Sequence, residues 1–327
     1  MSLRQNPTLK SYRVKVGITM GDPSGIGPAI TLKAINKLKG KACFVIIGDK
    51  WVFNKAQSAK RKAQNYTFID LNNVSHKNFE FGKVKAEYGR ASIEYLDKAL
   101  ELINNKEIDC LVTCPISKEA INLAGVRFNG HTEYLSKRTN SEDLVMMLLN
   151  KQVKFSLVTR HIALKNVTLK LSKDKLYKTI LITHKALKKL FLIKNPKIVV
   201  CGLNPHASDN GLIGEEENKI IIPALKNLRK KIKNLTGPIS ADVAIASAYR
   251  KKYDCVIAMY HDQALIPLKL SSPVTGVNMT LGLPYVRTSP LHGTAFDIAK
   301  IFSLADPSSL IEAIGLAVKC TLNLKKD

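Results

Sequence analysis

Residues 253–270, YDCVIAMYHDQALIPLKL, constrain the fold more than any other part of the sequence. Residues 255–260 are almost all apolar and rich in β-formers, as in a strand buried on both faces of a parallel sheet. This run ends abruptly at His261, Asp262 and Gln263. Because α/β proteins place functional groups beyond the carboxyl ends of such strands, the stretch predicts polar chemistry at that edge of a sheet.

The rest of the chain alternates strand-like and helix-like segments. The predicted strands cover residues 13–20, 43–48, 68–71, 109–113, 142–149, 155–159, 198–201, 255–260 and 277–281. The predicted helices cover residues 29–38, 89–104, 173–192, 215–231, 292–302 and 308–322, with a further helix from residue 119; residues 287–289 are predicted to lie in a loop. This alternation predicts an α/β fold with a largely parallel sheet. A length of 327 residues favours two domains.

The formal net charge of +25 admits two interpretations. One is the binding of nucleic acid or of anionic ligands. The other is a set of solvated helix faces that happen to be rich in lysine. Lysines recur along residues 173–197 and 226–233 without interleaved aromatic residues or a nucleic-acid motif, which favours the second interpretation. A phosphorylated substrate is compatible with the charge.

Apolar runs and cysteines narrow the class of protein further. No apolar run reaches about 18 residues, and residues 1–15 have no apolar segment, so we expect neither a membrane span nor a secretory signal. We therefore expect a cytoplasmic protein. Of the six cysteines, Cys43, Cys110, Cys201 and Cys255 lie in or beside apolar strand-like runs. They are predicted to be small buried residues in a reducing compartment.

Residues 21–28, GDPSGIGP, connect the first predicted strand to the helix that follows. Their glycines would let backbone amides approach a ligand at a helix N-terminus, where anions bind. The glycine spacing matches neither the dinucleotide fingerprint nor the P-loop. The segment is therefore either a tight structural turn or a loop that lines a cleft.

Five of the seven histidines follow a strand or lie in a glycine-rich turn. Among them, His161, His206 and His261 leave three different predicted strands, so they could meet at one edge of the sheet. Three imidazoles with an open fourth position hold a catalytic divalent metal; alternatively, each imidazole hydrogen-bonds in a polar cleft. Asp242 and Asp262 nearby could orient a ligand histidine or hold a water, or they could cap the helices that follow.

Six segments, in order, resemble the 4-hydroxythreonine-4-phosphate dehydrogenase family of pyridoxal phosphate biosynthesis. They are ITMGDPSGIGPAI, TCPISKEAI, FNGHTEYL, GLNPHASDNGLIGEEE, MYHDQALIPLK and NMTLGLPYVRTSPLHGTAFDIA, spread over residues 14–315. The resemblance implies the fold of the isocitrate and isopropylmalate dehydrogenases, with two α/β/α domains, a cleft between them and a homodimer with a shared active site. It implies an NAD-binding domain of residues 1–123 plus 278–327, and a domain for substrate, metal and dimerisation at residues 124–277.

The resemblance also assigns roles by position. The implied metal ligands are His161, His206 and His261, and His261 would come from the partner subunit. The implied substrate-binding residues are His131, Thr132, Lys269, Asn278 and Arg287. The implied catalytic residues are Asp242, Asp262 and His131. The residues expected against the cofactor are His292, Gly293, Thr294 and Ala295.

The implied reaction is the NAD-dependent oxidation and decarboxylation of 4-phosphooxy-L-threonine to 3-amino-2-oxopropyl phosphate and CO2. NADP is an alternative to NAD, and zinc is the expected metal, with magnesium or cobalt as alternatives. The nearest rival is a dehydrogenase of another phosphorylated hydroxy acid, such as threonate or erythronate 4-phosphate. Other rivals are a phosphate or acyl transferase on the same fold, and a nucleic-acid-binding protein. We expect a small phosphorylated substrate and a second copy as partners, and neither nucleic acid nor a membrane.

Overall fold

The computed structural model describes residues 13–56, 66–128 and 130–326. Within these ranges, eleven strands form one continuous sheet. The strands are β1 (Lys15–Thr19), β2 (Cys43–Gly48), β3 (Tyr66–Asp70), β4 (Cys110–Thr113), β5 (Val145–Leu149), β6 (Lys154–Leu157), β7 (Ile198–Cys201), β8 (Leu235–Ile239), β9 (Cys255–Ala258), β10 (Val277–Leu281) and β11 (Val286–Pro290). Their order is β3-β2-β1-β4-β11-β10-β5-β6-β9-β7-β8.

Helices connect most of these strands. They are α1 (Gly27–Lys37), α2 (Lys50–Lys55), α3 (Ala86–Asn104), α4 (Lys118–Leu123), α5 (His131–Arg138), α6 (Val167–Lys170), α7 (Lys173–Lys189), α8 (Ile222–Arg229), α9 (Ala241–Tyr249), α10 (His261–Ser271) and α11 (Ser308–Leu324). A π-helical turn, Glu217–Ile221, leads directly into α8. None of the helices in the described ranges combines the length and the apolar composition that crossing a bilayer requires.

The sheet consists of two parallel parts joined by an antiparallel centre. β3, β2, β1, β4 and β11 pair in parallel, and so do β6, β9, β7 and β8. Between them, β10 is antiparallel to both β11 and β5, and β5 is antiparallel to β6. The two parallel parts therefore run in opposite directions. The prediction of an α/β fold with a largely parallel sheet is confirmed, whereas the division at residues 123 and 278 stays a prediction.

One apolar core supports both parts of the sheet. A single cluster of buried side chains includes Ile18 of β1, Met279 of β10 and Ile198 of β7. Cys110, Cys201 and Cys255 are buried as predicted. The prediction was wrong for Cys43, which is exposed because it is the first residue of β2, before that strand enters the core.

Two predictions in the last quarter of the chain were wrong. Residues 287–289 form part of the buried strand β11 rather than a loop, because their polar side chains find partners inside the protein. Residues 292–302 are not a helix. In this segment Ala295 has φ 47°, which a right-handed helix does not allow, and the carbonyl of Thr294 accepts a hydrogen bond from the backbone N–H of Ile26 at 3.0 Å instead of from its own segment.

The glycine-rich segment 21–28 is a tight turn that buries a carboxyl group. A Cβ at Gly27 would lie 1.9 Å from the carbonyl oxygen of Met20, so only glycine fits there. Asp22 is fully buried; its Oδ1 accepts hydrogen bonds from the backbone N–H and the hydroxyl of Ser24 at 2.9 and 3.1 Å, while its Oδ2 has no partner. Burial raises the pKa of Asp22 to about 6.

We predict that Asp22→Asn stabilises the protein at neutral pH. Because the folded pKa of Asp22 lies above the unfolded value, ionisation costs the folded state on the order of 2–3 kcal/mol, and stability falls as the pH rises from about 4 to about 6. Asparagine keeps the acceptor for Ser24 without the charge. Urea unfolding should give a larger free energy of unfolding for the variant at pH 7 and equal values near pH 4.

A suitable control is Asp306→Asn. The hydrogen bonds from Ser308 lower the pKa of Asp306, so its ionisation favours the folded state. The free energy of unfolding of this variant at pH 7 should therefore be smaller than that of the parent protein, which is the opposite of the change expected for Asp22→Asn. Equal unfolding curves for Asp22→Asn and the parent protein at pH 7 would refute the assignment of Asp22 as a destabilising buried charge.

Candidate functional site

A cavity of about 320 Å³ lies over the central strands of the sheet. Seven residues that the sequence marked as site candidates line it: His131, Thr132, His161, Asn278, Arg287, His292 and Gly293. They come from both parallel parts of the sheet and from the antiparallel centre. The cavity is therefore the place where most of the sequence-predicted substrate and cofactor residues meet.

The strand register explains why polar side chains share this face. In the antiparallel pairing of β10 with β11, Asn278 lies opposite Ser289, and Thr280 lies opposite Arg287. Directly opposite residues in a sheet point to the same face. β4 runs parallel beside β11 and adds Thr113 to that face.

Arg287 is a buried cation with no anionic partner in the described residues. It is 1% exposed, and its Nη1 and Nη2 donate to the hydroxyls of Thr280 and Thr113 at 2.9 and 2.5 Å. Its Nε is buried without a partner, and burial lowers the pKa of its guanidinium to about 10. A buried guanidinium is favourable only when an anion approaches it. The cavity therefore has a positive end suited to a carboxylate or a phosphate.

Other buried polar atoms of the cavity residues also have no partner in the described structure. They are Nε2 of His131, Oδ1 of Asn278 and Nε2 of His292. An unsatisfied buried polar group costs about 1–3 kcal/mol, so several of them around one cavity indicate that a polar ligand completes their hydrogen bonds. Burial, and then the charge of Arg287, hold the pKa of His131 well below its usual value, so its imidazole is neutral.

The structure brings two of the three candidate metal ligands together. His161 and His261 leave β6 and β9, which pair in parallel, and their ring centroids lie 5.4 Å apart. Asp262 Oδ1 lies 2.7 Å from Nδ1 of His261, which orients the ring and leaves Nε2 open. Desolvation lowers the pKa of His161, and the charges of Lys118 and His261 add to this. Neutral imidazole is the form that binds metals, so this pair fits two positions around a divalent ion.

The third candidate, His206, lies outside this pair. Residues 206–210 form a left-handed turn with φ between 45° and 68°. Across the described residues, no group of three or more His, Cys, Asp or Glu side chains is spaced to hold one ion. Asp242 is exposed and accepts a hydrogen bond from Ser240; that bond, and to a smaller extent His206, lower its pKa. His206 and Asp242 are thus close to each other and do not line the cavity.

Lys269 is not among the residues that line the cavity and instead contacts the backbone next to the expected cofactor loop. Its Nζ donates to the carbonyl oxygens of Leu291 and Pro273 at 2.9 and 3.3 Å, and burial lowers its pKa. Burial lowers the pKa of His292, and the nearby charge of Lys269 adds to this. The hydrogen bond to Leu291 holds the backbone immediately before residues 292–295, which are expected against the cofactor.

The glycine-rich turn and the expected cofactor loop pack together. A Cβ on Gly25 would lie 3.0 Å from the carbonyl oxygen of Thr294, and the N–H of Ile26 donates to that oxygen. A Cβ on Gly293 would meet no atom within 4 Å. Open space beside an exposed backbone fits a ligand such as a dinucleotide that approaches the main chain closely. The interpretation of segment 21–28 as a tight structural turn is therefore confirmed, whereas its role as a loop that lines a cleft stays a prediction, because none of its residues lines the cavity described above.

Sequence reasoning missed the two threonines that hold Arg287. Thr113 and Thr280 are among the polar residues of otherwise apolar strands, LVT and NMTL. The hydroxyl of a threonine in a buried strand needs a hydrogen-bond partner. The threonines in these apolar strands were therefore the sequence signal that indicated a buried polar partner. Their identification as partners of Arg287 required the register of β10, β11 and β4.

Comparison with known proteins agrees with this geometry. Residues 27–317 match the family model described as pyridoxal phosphate biosynthetic protein PdxA. The chain is 44% identical over 324 residues to the 4-hydroxythreonine-4-phosphate dehydrogenase of Sulfurihydrogenibium sp. (strain YO3AOP1), covering 93% of this chain and 98% of that one. It is 40% identical over 304 residues to the D-threonate 4-phosphate dehydrogenase of Salmonella typhimurium (strain LT2), covering 87% of this chain and 92% of that one.

Solved structures give the same result for the fold. The crystal structure of 4-hydroxythreonine-4-phosphate dehydrogenase from Klebsiella pneumoniae superposes with a TM-score of 0.84 at 33% identity, covering 95% of this chain and 99% of that one. Isocitrate dehydrogenase from Methylococcus capsulatus, at 12% identity and a TM-score of 0.51, covers 95% of this chain and 87% of that one and shares the fold alone. The expected isocitrate dehydrogenase-like fold is confirmed. The chain belongs to the family of the pyridoxal phosphate biosynthetic protein PdxA.

Proposed function

We propose that this protein is an NAD-dependent dehydrogenase that oxidises and decarboxylates 4-phosphooxy-L-threonine to 3-amino-2-oxopropyl phosphate and CO2, a step in pyridoxal 5'-phosphate synthesis. The observation that carries the proposal is the buried guanidinium of Arg287, which faces a cavity lined by His131, Asn278 and His292 without a carboxylate partner in the described residues. Such a cavity selects a small anionic and polar substrate. The names of relatives at 38–44% identity support the choice of substrate.

D-threonate 4-phosphate is the second candidate substrate. Relatives at 37–40% identity carry that name, so the level of identity does not separate the two substrates. Both are phosphorylated hydroxy acids. They differ at carbon 2, where threonine has an ammonium group and threonate a hydroxyl group. The neutral imidazole of His131 can accept a hydrogen bond from either group, so the difference has to be measured.

The residues that line the cavity can bind an anionic group and accept a proton. Arg287 binds an anionic end of the substrate through charge-assisted hydrogen bonds. This contact offsets the positive charge that lowers the pKa of His131. Once the anion is bound, His131 Nε2 becomes a better acceptor for the proton of the substrate hydroxyl. Asp262 keeps the ring of His261 in one orientation.

Two groups that are not part of the chain would complete the chemistry. A divalent cation, with zinc preferred and magnesium or cobalt as alternatives, would be held by His161 and His261 with His206, and would supply positive charge that lowers the pKa of a hydroxyl and stabilises the charge formed during loss of CO2. NAD, with NADP as the alternative, would supply the hydride acceptor. The residues of this chain that would meet it are His292, Gly293, Thr294 and Ala295.

We also propose a homodimer with a shared site. Large apolar side chains are exposed near the histidines, including Val243 (51%), Ile266 (59%) and Leu270 (81%) on α9 and α10. Such a patch is typical of a surface that another chain covers. Because His161 and His261 already meet in one chain, the partner's contribution in this arrangement is His206, whereas the resemblance implied His261.

The proposed activity is tested by supplying NAD and 4-phosphooxy-L-threonine to the purified protein and following NADH absorbance. We expect turnover that a chelator abolishes and that added zinc or cobalt restores. D-threonate 4-phosphate and D-erythronate 4-phosphate are run in parallel. A higher kcat/KM for either of these would replace the proposed substrate, and no NADH with any of the three would reject the dehydrogenase assignment.

Arg287→Met should separate binding from stability. Loss of hydrogen bonds to a charged group, about 1.5–3 kcal/mol, predicts that kcat/KM falls roughly 10- to 150-fold. The free energy of unfolding should not decrease, because the variant removes a buried charge that lacks a counter-ion in the folded chain. The control is Arg138→Met, whose guanidinium pairs with Asp97 at 2.9 Å on the surface and should affect neither quantity much. Unchanged kinetics in Arg287→Met would remove it from the site.

A mixing experiment tests the shared site. His161→Ala and His206→Ala should each be inactive alone, whereas subunits exchanged by partial unfolding and refolding should recover roughly a quarter of the parental activity. Random pairing makes half of the dimers mixed, and each mixed dimer holds one intact site of two.

The control mixture is His161→Ala with His261→Ala, which should stay inactive because both rings belong to the same half-site. Recovery in this control mixture, and not in the first, would assign His261 to the partner subunit. No recovery in either mixture would contradict a site shared between subunits.

A further inference from the structure

The turn that carries His206 and the strand that leads to His261 are joined by one buried side chain. Gln263 is 8% exposed and lies in the first turn of α10. Its Oε1 accepts the backbone N–H of Met259 at 2.7 Å, and its Nε2 donates to the carbonyl oxygen of Gly202 at 2.9 Å. Met259 follows β9, and Gly202 follows β7. The amide of Gln263 thus bridges the ends of two neighbouring strands directly beneath the histidines.

The backbone of Met259 also holds the segment that leads to His161. The carbonyl oxygen of Met259 accepts both the backbone N–H of Thr159, at 3.1 Å, and its hydroxyl, at 2.7 Å. Thr159 lies two residues before His161 and is buried. The ends of β6, β9 and β7 are therefore connected in one row of hydrogen bonds through Met259 and Gln263.

A second buried group fixes the His206 turn itself. Glu217 is fully buried in the π-helical turn before α8. Its Oε1 accepts the backbone N–H groups of Leu203 and Asn204 at 2.7 and 2.9 Å, and its Oε2 accepts the side-chain amide of Asn204 at 2.8 Å. A Cβ at Gly202 would lie 3.1 Å from Glu217 Oε1 and 2.8 Å from the Cα of Ala207. The carboxylate, the glycine and the left-handed turn therefore pack in direct contact.

The left-handed turn needs such support. His206, Ala207, Ser208, Asp209 and Asn210 all have positive φ and carry a Cβ. This conformation is unfavourable for each of them and persists only where the surroundings determine it. The hydrogen bonds that hold residues 203 and 204 stand immediately before it. The turn also has backbone hydrogen bonds of its own, such as that from Ile213 to Ser208, but the bonds to Glu217 fix the point where it begins.

We infer that Gln263 and Glu217 are positioning residues for the proposed metal sites. Gln263 fixes the end of β9, which leads to His261, and Glu217 fixes the turn from which His206 reaches the site shared with the partner subunit. The inference rests on the proposed role of these histidines as metal ligands. The hydrogen-bond partners found for the two side chains are Met259, Gly202, Leu203 and Asn204 rather than an imidazole, so both act chiefly through the backbone. Partners that orient ligands from outside typically change metal affinity 10- to 100-fold when they are altered.

The test uses Co²⁺ alone with the full-length protein, titrated by its visible absorption. Gln263→Glu keeps the acceptor for Met259 but loses the donor to Gly202, and should weaken Co²⁺ binding roughly 10- to 100-fold. Glu217→Ala should do the same. Glu217→Gln keeps an acceptor for the two N–H groups and should restore affinity to within a few-fold of the parent protein.

Leu268→Ala is the matched control. Leu268 is fully buried in the same helix as Gln263, so its truncation destabilises α10 without touching the bridge. Co²⁺ affinity and the absorption spectrum of this variant should match those of the parent protein. Parental affinity in Gln263→Glu, or an equal loss in Leu268→Ala, would overturn the inference.

A second measurement does not depend on metal. In metal-free protein, hydrogen exchange of peptides covering residues 202–214 should be faster in Glu217→Ala than in the parent protein and unchanged in Leu268→Ala. Unchanged exchange in Glu217→Ala would show that Glu217 does not hold the turn in place. If the parent protein fails to bind Co²⁺, the metal proposal fails by itself, while the exchange data still decide whether Glu217 holds the turn.

Discussion

The buried charge of Arg287 is the constraint on which the rest of the site depends. A guanidinium inside a folded protein needs acceptors, and the sheet provides two threonine hydroxyls from the neighbouring strands β4 and β10. Two neutral acceptors do not replace an anion. The folded chain therefore keeps a destabilising group in place, and the proposed anionic substrate would recover on binding what this burial costs. Such a residue contributes to binding at the expense of stability.

The direction of the strands decides how this charge meets the other functional groups. The two parallel parts of the sheet run oppositely, so the loops after β11 and those after β6 leave at opposite edges. A cavity at one edge would reach only one set of loops. The cavity instead lies over the face of the antiparallel centre, where His292 from one part and His161 from the other both line it. The antiparallel strands thus bring residues from both parallel parts of the sheet into one site.

The sequence predicted the parts that depend on local pattern. Apolar runs located the strands that lead to His161 and His261, and neighbouring parallel strands then brought those rings together. Strand β11 was missed because its polar residues are satisfied only by non-local partners, such as Thr113 for Arg287. For the same reason no sequence pattern could show that Gln263 bridges two strands. The spacing of apolar residues indicates which face of a helix or strand is buried. It does not indicate which distant group a polar side chain hydrogen-bonds to.

The high positive charge of the chain and the buried charge of Arg287 act at different distances. The net charge of +25 arises largely from lysines, many of which lie on exposed helix faces. In physiological salt such charges are screened beyond about 8 Å, so they attract anions to the surface and add little to the affinity of a bound one. Arg287 is shielded from that screening by burial. Surface lysines can therefore raise the rate at which anionic molecules arrive, whereas discrimination among the proposed phosphorylated substrates would rest on the few polar atoms inside the cavity.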